Sequence, residues 1–268
     1  MRPLRDLPVE AAARVRAVFA DIDDTLTHAG RLPAAAYAAL ERLHAAGLAV
    51  VPVTGRPAGW CDMIARFWPV SGVVGENGAF YFAYDHAARR MTRAFATGNA
   101  ARVADRARLD AIRDRVLAEV PGSAVAGDQA YREADLAIDV CEDVAALDEA
   151  AVRRICAIFV DAGATAKVSS IHVNGWFGAH DKLTTSRRFA REVLNLDLDR
   201  DRGHVVYVGD SPNDAPMFGH FPLAVGVANV RAFAGRMEAE PAYVTHAEGG
   251  HGFVEVAALI LAARHARH

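Results

Sequence analysis

Asp21 and Asp23 stand two residues apart at the end of an apolar run, Ala17, Val18, Phe19, Ala20, so in an extended segment both side chains project to the same side. Carboxylates that close, with no cation adjacent in sequence, repel unless a metal or a proton relieves them. Their types allow a division of labour. Asp21 attacks phosphorus to form an aspartyl phosphate, and Asp23 protonates the leaving oxygen and later activates water. Magnesium in an oxygen-rich site is the expected companion, because the ion neutralises charge on the carboxylate and on the transferring phosphoryl group. A solvated acidic turn or a helix N-cap would use the same residues, and the cluster alone does not separate these readings.

A second cluster, Gly209, Asp210, Ser211, Pro212, Asn213, Asp214, follows another apolar run, 205–208. A capped strand-to-helix turn accounts for it when taken alone, but two acidic clusters at strand ends together favour metal coordination. Thr54 also closes an apolar run. It can offer its hydroxyl and backbone N–H to a phosphoryl oxygen, with Gly55 letting the backbone approach; a plain turn is the rival. Only two of the 30 cationic residues, Lys167 and Lys182, are lysine. Lys182 opens a helical pattern, where a buried ammonium could pair with Asp21 and with phosphoryl oxygens. Arg56 suits substrate binding or helix capping equally. Glu76 and Asn77 could touch substrate, although Gly-Glu-Asn-Gly is also a good hairpin turn. His172, Asn174 and Trp176 lie where a lid could reach a substrate, and plain packing explains them as well.

The elements that must position these residues alternate. Strand-like runs at 16–20, 48–53 and 70–74 are separated by helical patterns from Pro33 to Gly47 and from Pro57 to about Trp68. That order predicts a parallel sheet wrapped by helices, with polar residues at the C-terminal strand ends where such sheets bind ligands. From about Ala83 to Gly178 the pattern changes. A helix at 100–120, an alternating strand through Leu136, Ile138 and Val140, a helix at 147–162 and a strand near 166–173 suggest antiparallel strands with helices on one face. The first pattern then returns with a helix at 182–194, strands at 204–208 and 223–227, and a C-terminal helix. The fold class expected is α/β, a Rossmann-like doubly wound parallel core formed by residues 1–83 and 179–268, with an inserted α+β cap at 84–178.

With 268 residues, 52% hydrophobic and a net charge of −3, the chain can bury a substantial core and shows no basic stripe for nucleic acid or an anionic membrane. Three widely spaced cysteines indicate neither a disulfide framework nor a zinc site, and a reducing cytoplasm is the expected compartment. No window approaches the roughly 20 apolar residues of a membrane span. Oligomeric state has no signature here.

Together, DIDDTLT (21–27), VTGR (53–56), Lys182 and GDSPND (209–214) resemble the four ordered motifs of the haloacid dehalogenase-like (HAD) superfamily. GENG at 75–78 and an insert between the second and third motifs resemble its Cof-type subgroup with a type IIB cap, which includes sucrose-phosphate phosphatase, mannosylglycerate-phosphate phosphatase and phosphomannomutase. The resemblance covers roughly 15–83 and 180–260. It implies Asp21 as nucleophile, Asp23 as acid and base, and Thr54 and Lys182 as phosphoryl stabilisers. Magnesium would be held by Asp21, the carbonyl of Asp23 and Asp210, with Asp214 close by, and Asn213 would lie near the phosphoryl group. Gly55, Arg56 and Asn77 complete the expected substrate contacts. An acid at position 23 favours a phosphatase over a dehalogenase or transport ATPase, acting on a small phosphorylated metabolite, sugar phosphates first. A phosphomutase uses the same aspartyl phosphate and returns the phosphoryl group to the sugar. A non-catalytic phospho-receiver or binding module would leave Asp23 without a purpose.

Overall fold

The four-residue run Ala17–Ala20 is buried at every position, which is possible only for a strand covered on both faces. Val18 and Ala20 point into one apolar cluster and Ala17 and Phe19 into another, so the sheet they belong to carries helices on each side. The structure, a computed structural model, describes residues 1–169 and 171–266.

In chain order the strands are β1 (Arg2–Pro3), β2 (Ala17–Ala20), β3 (Ala49–Pro52), β4 (Val73–Gly75), β5 (Phe80–Asp85), β6 (Arg90–Phe95), β7 (Ala124–Val125), β8 (Leu136–Asp139), β9 (Thr165–Val168), β10 (His172–Trp176), β11 (Val205–Gly209), β12 (Leu223–Gly226) and β13 (Tyr243–Val244). The helices are α1 (Val9–Ala13), α2 (Ala34–Ala45), α3 (Ala58–Phe67), α4 (Asn99–Glu119), α5 (Glu149–Asp161), α6 (Lys182–Val193), α7 (Ala215–His220) and α8 (Gly249–His265). Six strands form a parallel sheet in the order β1-β13-β12-β11-β2-β3. Residues of α1, α2, α3 and α8 cover one face and residues of α6 and α7 the other. A parallel bridge between Val53 and Val74 carries the sheet on to β4, which continues antiparallel through β5 and β6.

Strand β2 is flanked by β3 on one side and β11 on the other, so the chain order reverses at β2. Ala20 is level with Pro52 and with Val208, which brings Asp21, Thr54 and Asp210 to the same edge of the sheet. A switch point of this kind opens a crevice beyond the strand ends.

The cap is a four-stranded antiparallel sheet, β7-β8-β10-β9, with α4 and α5 on one face. Leu136, Ile138 and Val173 face those helices, and the registered neighbours Asp139 and His172 lie on the opposite face with Asn174. The alternation expected at Leu136, Ile138 and Val140 therefore holds for the helix side only, since the other side of β8 is buried as well. The single strand expected at 166–173 is instead two strands, β9 and β10. The Ser169 N–H donates to the His172 carbonyl at 2.8 Å and the His172 N–H to Ser169 Oγ at 3.0 Å, closing the chain between them. Ser170, which that expected strand includes, lies outside the described residues. Among the described residues no helix is long and apolar enough to cross a membrane.

Candidate active site

Asp21 is the first residue beyond β2. Its N–H still pairs with the Val208 carbonyl at 2.9 Å, so the strand ladder fixes its Cα before the chain turns away. The turn is tight, because the Ile22 carbonyl accepts from the N–H groups of both Leu26 (2.8 Å) and Thr27 (2.9 Å). Lys182 opens α6, whose N-cap Asp181 accepts from the Thr184 N–H at 2.6 Å. Gly78 lies against this cap in a left-handed conformation (φ 104°), where a Cβ would come within 2.0 Å of the Asp181 carbonyl oxygen. Only glycine lets the 75–78 loop and the start of α6 approach so closely.

Lys182 Nζ sits 2.6 Å from Asp21 Oδ1 and 2.7 Å from Asp214 Oδ1, with all three side chains buried. Burial above all, then the Asp214 and Asp23 carboxylates, push the Asp21 carboxyl up to about 8 against the pull of Lys182. Burial opposes the Lys182 charge, but Asp21 and Asp214 outweigh it and hold the ammonium above its ordinary range. Asp210 is raised too, by burial first and then by Asp21 and Asp214. Carboxylate oxygens of Asp21, Asp210 and Asp214 all lie within 4.8 Å of one another. Three buried carboxyl groups sharing one ammonium are short of positive charge, which bound protons relieve in part, and a hard dication such as magnesium fits that oxygen donor set.

The three carboxylates are not equivalent. Asp214 Oδ1 accepts from Lys182 and from the Tyr207 hydroxyl at 2.5 Å, and Oδ2 from the N–H groups of Asp210 (3.0 Å) and Ser211 (3.4 Å). All of its acceptor sites are taken, whereas among the described residues Asp210 accepts only from Thr25 Oγ1 at 3.1 Å and, at 3.4 Å, Asn229 Nδ2. Tyr207, Thr25 and Asn229 escaped the sequence reading. A hydroxyl inside the otherwise apolar run 205–208 was the available signal for Tyr207.

Asp23 stands apart from this cluster. Arg56 reaches it through Nε (3.0 Å) and Nη2 (2.8 Å) and also reaches the cap, with Nη2 2.8 Å from Glu142 and Nη1 3.5 Å from Asp128. Arg56 thus neither caps a helix nor stands free; it ties a core carboxylate to two cap carboxylates, with its guanidinium over the Trp60 ring. Glu142 in turn lies 2.9 Å from His172 Nε2. His172 first and Arg56 second pull the Glu142 carboxyl down to about 2.

The cleft between core and cap is lined by Asp21, Asp23, Gly55, Arg56 and Asn213 from below, and by Ser169, His172 and Asn174 above. Its cavity is about 10 Å³, the room of roughly one water, so the cap lies closed over Asp21. Two expected contributors lie elsewhere. Asn77 is buried against Gly55, its N–H bonded to the Thr54 carbonyl at 3.0 Å, and its side chain does not line the cleft. The Thr54 N–H, expected to face a phosphoryl oxygen, donates to the Val74 carbonyl at 2.9 Å because the sheet continues into β4 there. Its hydroxyl accepts from the Arg56 N–H at 3.0 Å and keeps its own proton to donate. Trp176 is packed, with its indole N–H on the His180 carbonyl at 3.2 Å.

Residues 18–103 match the family model of haloacid dehalogenase-like hydrolases. No curated protein matches the chain. Among solved structures, protein 0175 from Thermoplasma acidophilum shares 18% identity and a TM-score of 0.68 over 92% of this chain and 98% of that one. The sucrose-phosphatase from Synechocystis sp. PCC6803, solved with sucrose and phosphate, gives 12%, 0.61, 91% and 97% in the same terms. A trehalose-6-phosphate phosphatase related protein gives 15%, 0.60, 94% and 98%. At these identities the likeness is one of fold, and it extends over core and cap alike.

Proposed function

We propose that this chain, whose residues 18–103 match the model of haloacid dehalogenase-like hydrolases, is a magnesium-dependent phosphatase of a small phosphorylated metabolite, with a sugar phosphate as the leading substrate class. The observation that carries the reading is the arrangement at the switch point, where Asp21 lies 2.6 Å from the Lys182 ammonium beside Asp210, and Asp23 stands at the cleft wall. Asp21, the Asp23 carbonyl and Asp210 would hold magnesium, which when bound would supply positive charge to offset that on the phosphoryl group. Asp214 is an anchor for Lys182 rather than a direct ligand.

Asp21 attacks phosphorus and the ester oxygen leaves, taking a proton from Asp23. Asp23 then accepts a proton from the water that attacks the aspartyl phosphate, releasing inorganic phosphate and restoring Asp21. Lys182 and the Thr54 hydroxyl hold the phosphoryl oxygens, with Gly55, Arg56 and Asn213 around them. For Asp23 to act, Arg56 must let go of it, and Glu142 and Asp128 are already placed to keep that guanidinium. A cleft closed to the size of one water requires the cap to move before substrate enters. Polar residues facing it from the cap, His172 and Asn174, suit a hydroxyl-rich leaving group. The structural likeness to a sucrose-phosphatase supports the same choice. The expected compartment is the cytoplasm.

The test is phosphate release from a panel of phosphorylated sugars and cofactors, with and without magnesium, for the natural chain and Asp21→Asn. Turnover that requires magnesium and disappears in the variant supports the proposal. Absence of release across the panel overturns it, and isomerised sugar phosphate in place of free phosphate identifies a phosphomutase.

A further inference from the structure

We infer that Glu76 is the residue that docks the cap on the core in the orientation that sets Asn174 over Asp21. Glu76 is fully buried and left-handed (φ 43°), a conformation a non-glycine residue holds only when its surroundings impose it. Its Oε1 accepts from the N–H groups of Ala58 (3.0 Å) and Glu133 (2.8 Å), and its Oε2 from those of Ala134 (2.6 Å) and Asp135 (3.2 Å). Ala58 begins α3 in the core, and the other three are consecutive residues of the turn that leads into β8 of the cap. A carboxylate has about four acceptor sites, and this one spends three of them across the core–cap junction. Without it three adjacent backbone donors, that of Asp135 buried and those of Glu133 and Ala134 partly buried, would lose their acceptor.

From that turn the contacts run to the cleft. Asp135, with no exposed surface, takes Asn174 Nδ2 at 3.1 Å and Arg132 Nη1 at 3.0 Å, and the same Nη1 donates to the Gly55 carbonyl at 2.9 Å. The turn that Glu76 holds thus orients one cleft residue from the cap and one from the core. Glu76 itself lines no part of the cleft, so it is a positioning residue. If its task were only to cap α3, the Ala58 contact would suffice and the three cap amides would play no part.

The inference rests on the phosphatase reading for its kinetic consequence and is independent of it for its structural one. In Glu76→Gln the amide group turns donors toward two of the four N–H groups, while the size of the side chain is kept. Amide-resolved hydrogen exchange on the full chain is expected to speed up about tenfold or more at Glu133, Ala134 and Asp135, with the β2 amides unchanged. For a sugar phosphate that the natural chain hydrolyses, kcat/KM falls about tenfold, while acetyl phosphate, whose leaving group is too small to need the cap, changes less than about twofold. Glu76→Asp keeps the charge with a shorter reach. It is expected to fall between the two, and it supplies the same readouts should the Gln variant not fold. Unchanged exchange at 133–135, or equal acceleration everywhere with equal losses on both substrates, overturns the inference. If the natural chain hydrolyses nothing, the phosphatase reading fails, and the exchange result still decides whether Glu76 docks the cap.

Discussion

Replacing Asp214 with asparagine keeps the shape of the side chain, removes its charge and leaves one oxygen where there were two. The carboxylate now satisfies four donors: Lys182 Nζ, the Tyr207 hydroxyl and the N–H groups of Asp210 and Ser211. In the variant the amide oxygen serves two of them and the amide NH₂ meets the other two. Breaking a buried ion pair from one side costs about 3–5 kcal/mol, and because Lys182 keeps Asp21 at 2.6 Å the lower end, about 3 kcal/mol, is expected. At roughly 2–4 °C per kcal/mol for a chain of this size, the thermal midpoint drops by roughly 6–12 °C. Tyr207→Phe removes only the hydroxyl bond to that carboxylate, worth about 1.5–3 kcal/mol. The two substitutions share the Tyr207–Asp214 bond, so the double variant should lose less stability than the sum of the two single losses. Urea and thermal unfolding without added metal, followed by a magnesium titration of each variant, make the measurement. Asp210→Asn should behave in the opposite way, losing magnesium affinity more than stability. If Asp214→Asn is as stable as the natural chain to within about 0.5 kcal/mol yet loses magnesium affinity a hundredfold or more, Asp214 is a ligand and the anchor assignment is wrong.

Chelation of magnesium should stop phosphate release and lower the thermal midpoint, since three buried carboxylates are then left with one ammonium; a midpoint indifferent to chelator would count against the site. Glu142, held down at about 2 by His172 and Arg56, contributes stability that is complete above its unfolded value near 4.5 and is lost as pH falls toward 2. The natural chain should therefore be more stable than Glu142→Gln at neutral pH, and the two melting curves should converge over that acid window. Gly175→Ala places a Cβ 2.1 Å from the Phe159 ring and should cost about 1–3 kcal/mol, read as earlier urea unfolding.

What the sequence disclosed and what it withheld divide along a physical line. The residues beyond the strand ends were legible because a strand buried on both faces is a continuous apolar run, and a polar residue at its end interrupts the run sharply. Asp21, Thr54 and Asp210 come together at one edge for that reason. Interactions that cross from core to cap leave no period in the chain. Nothing local to Arg56 announces Glu142, 86 residues away, and nothing local to Glu76 announces the amides at 133–135. The turn character of Gly-Glu-Asn-Gly was visible, yet the buried carboxylate inside it was not, because burial there is created by the other unit. Likewise β9 and β10 read as one strand, since a two-strand return closed by a serine hydroxyl carries no Gly or Pro to mark it.

The strand order has a consequence for the growing chain. The strand beside β2 on the side away from β3 is β11, and the first contact between them, Ala17 with Val205, joins positions 188 residues apart. A chain emerging from its N-terminus therefore displays β2 and β3, continuous apolar strands, with one flank open until the whole cap segment has followed. The cap's own sheet and both its helices come from a single uninterrupted stretch, 99–176. It is the part able to complete its contacts in order of synthesis, and it would be formed and waiting when β11 arrives to close the sheet on which the acidic residues depend.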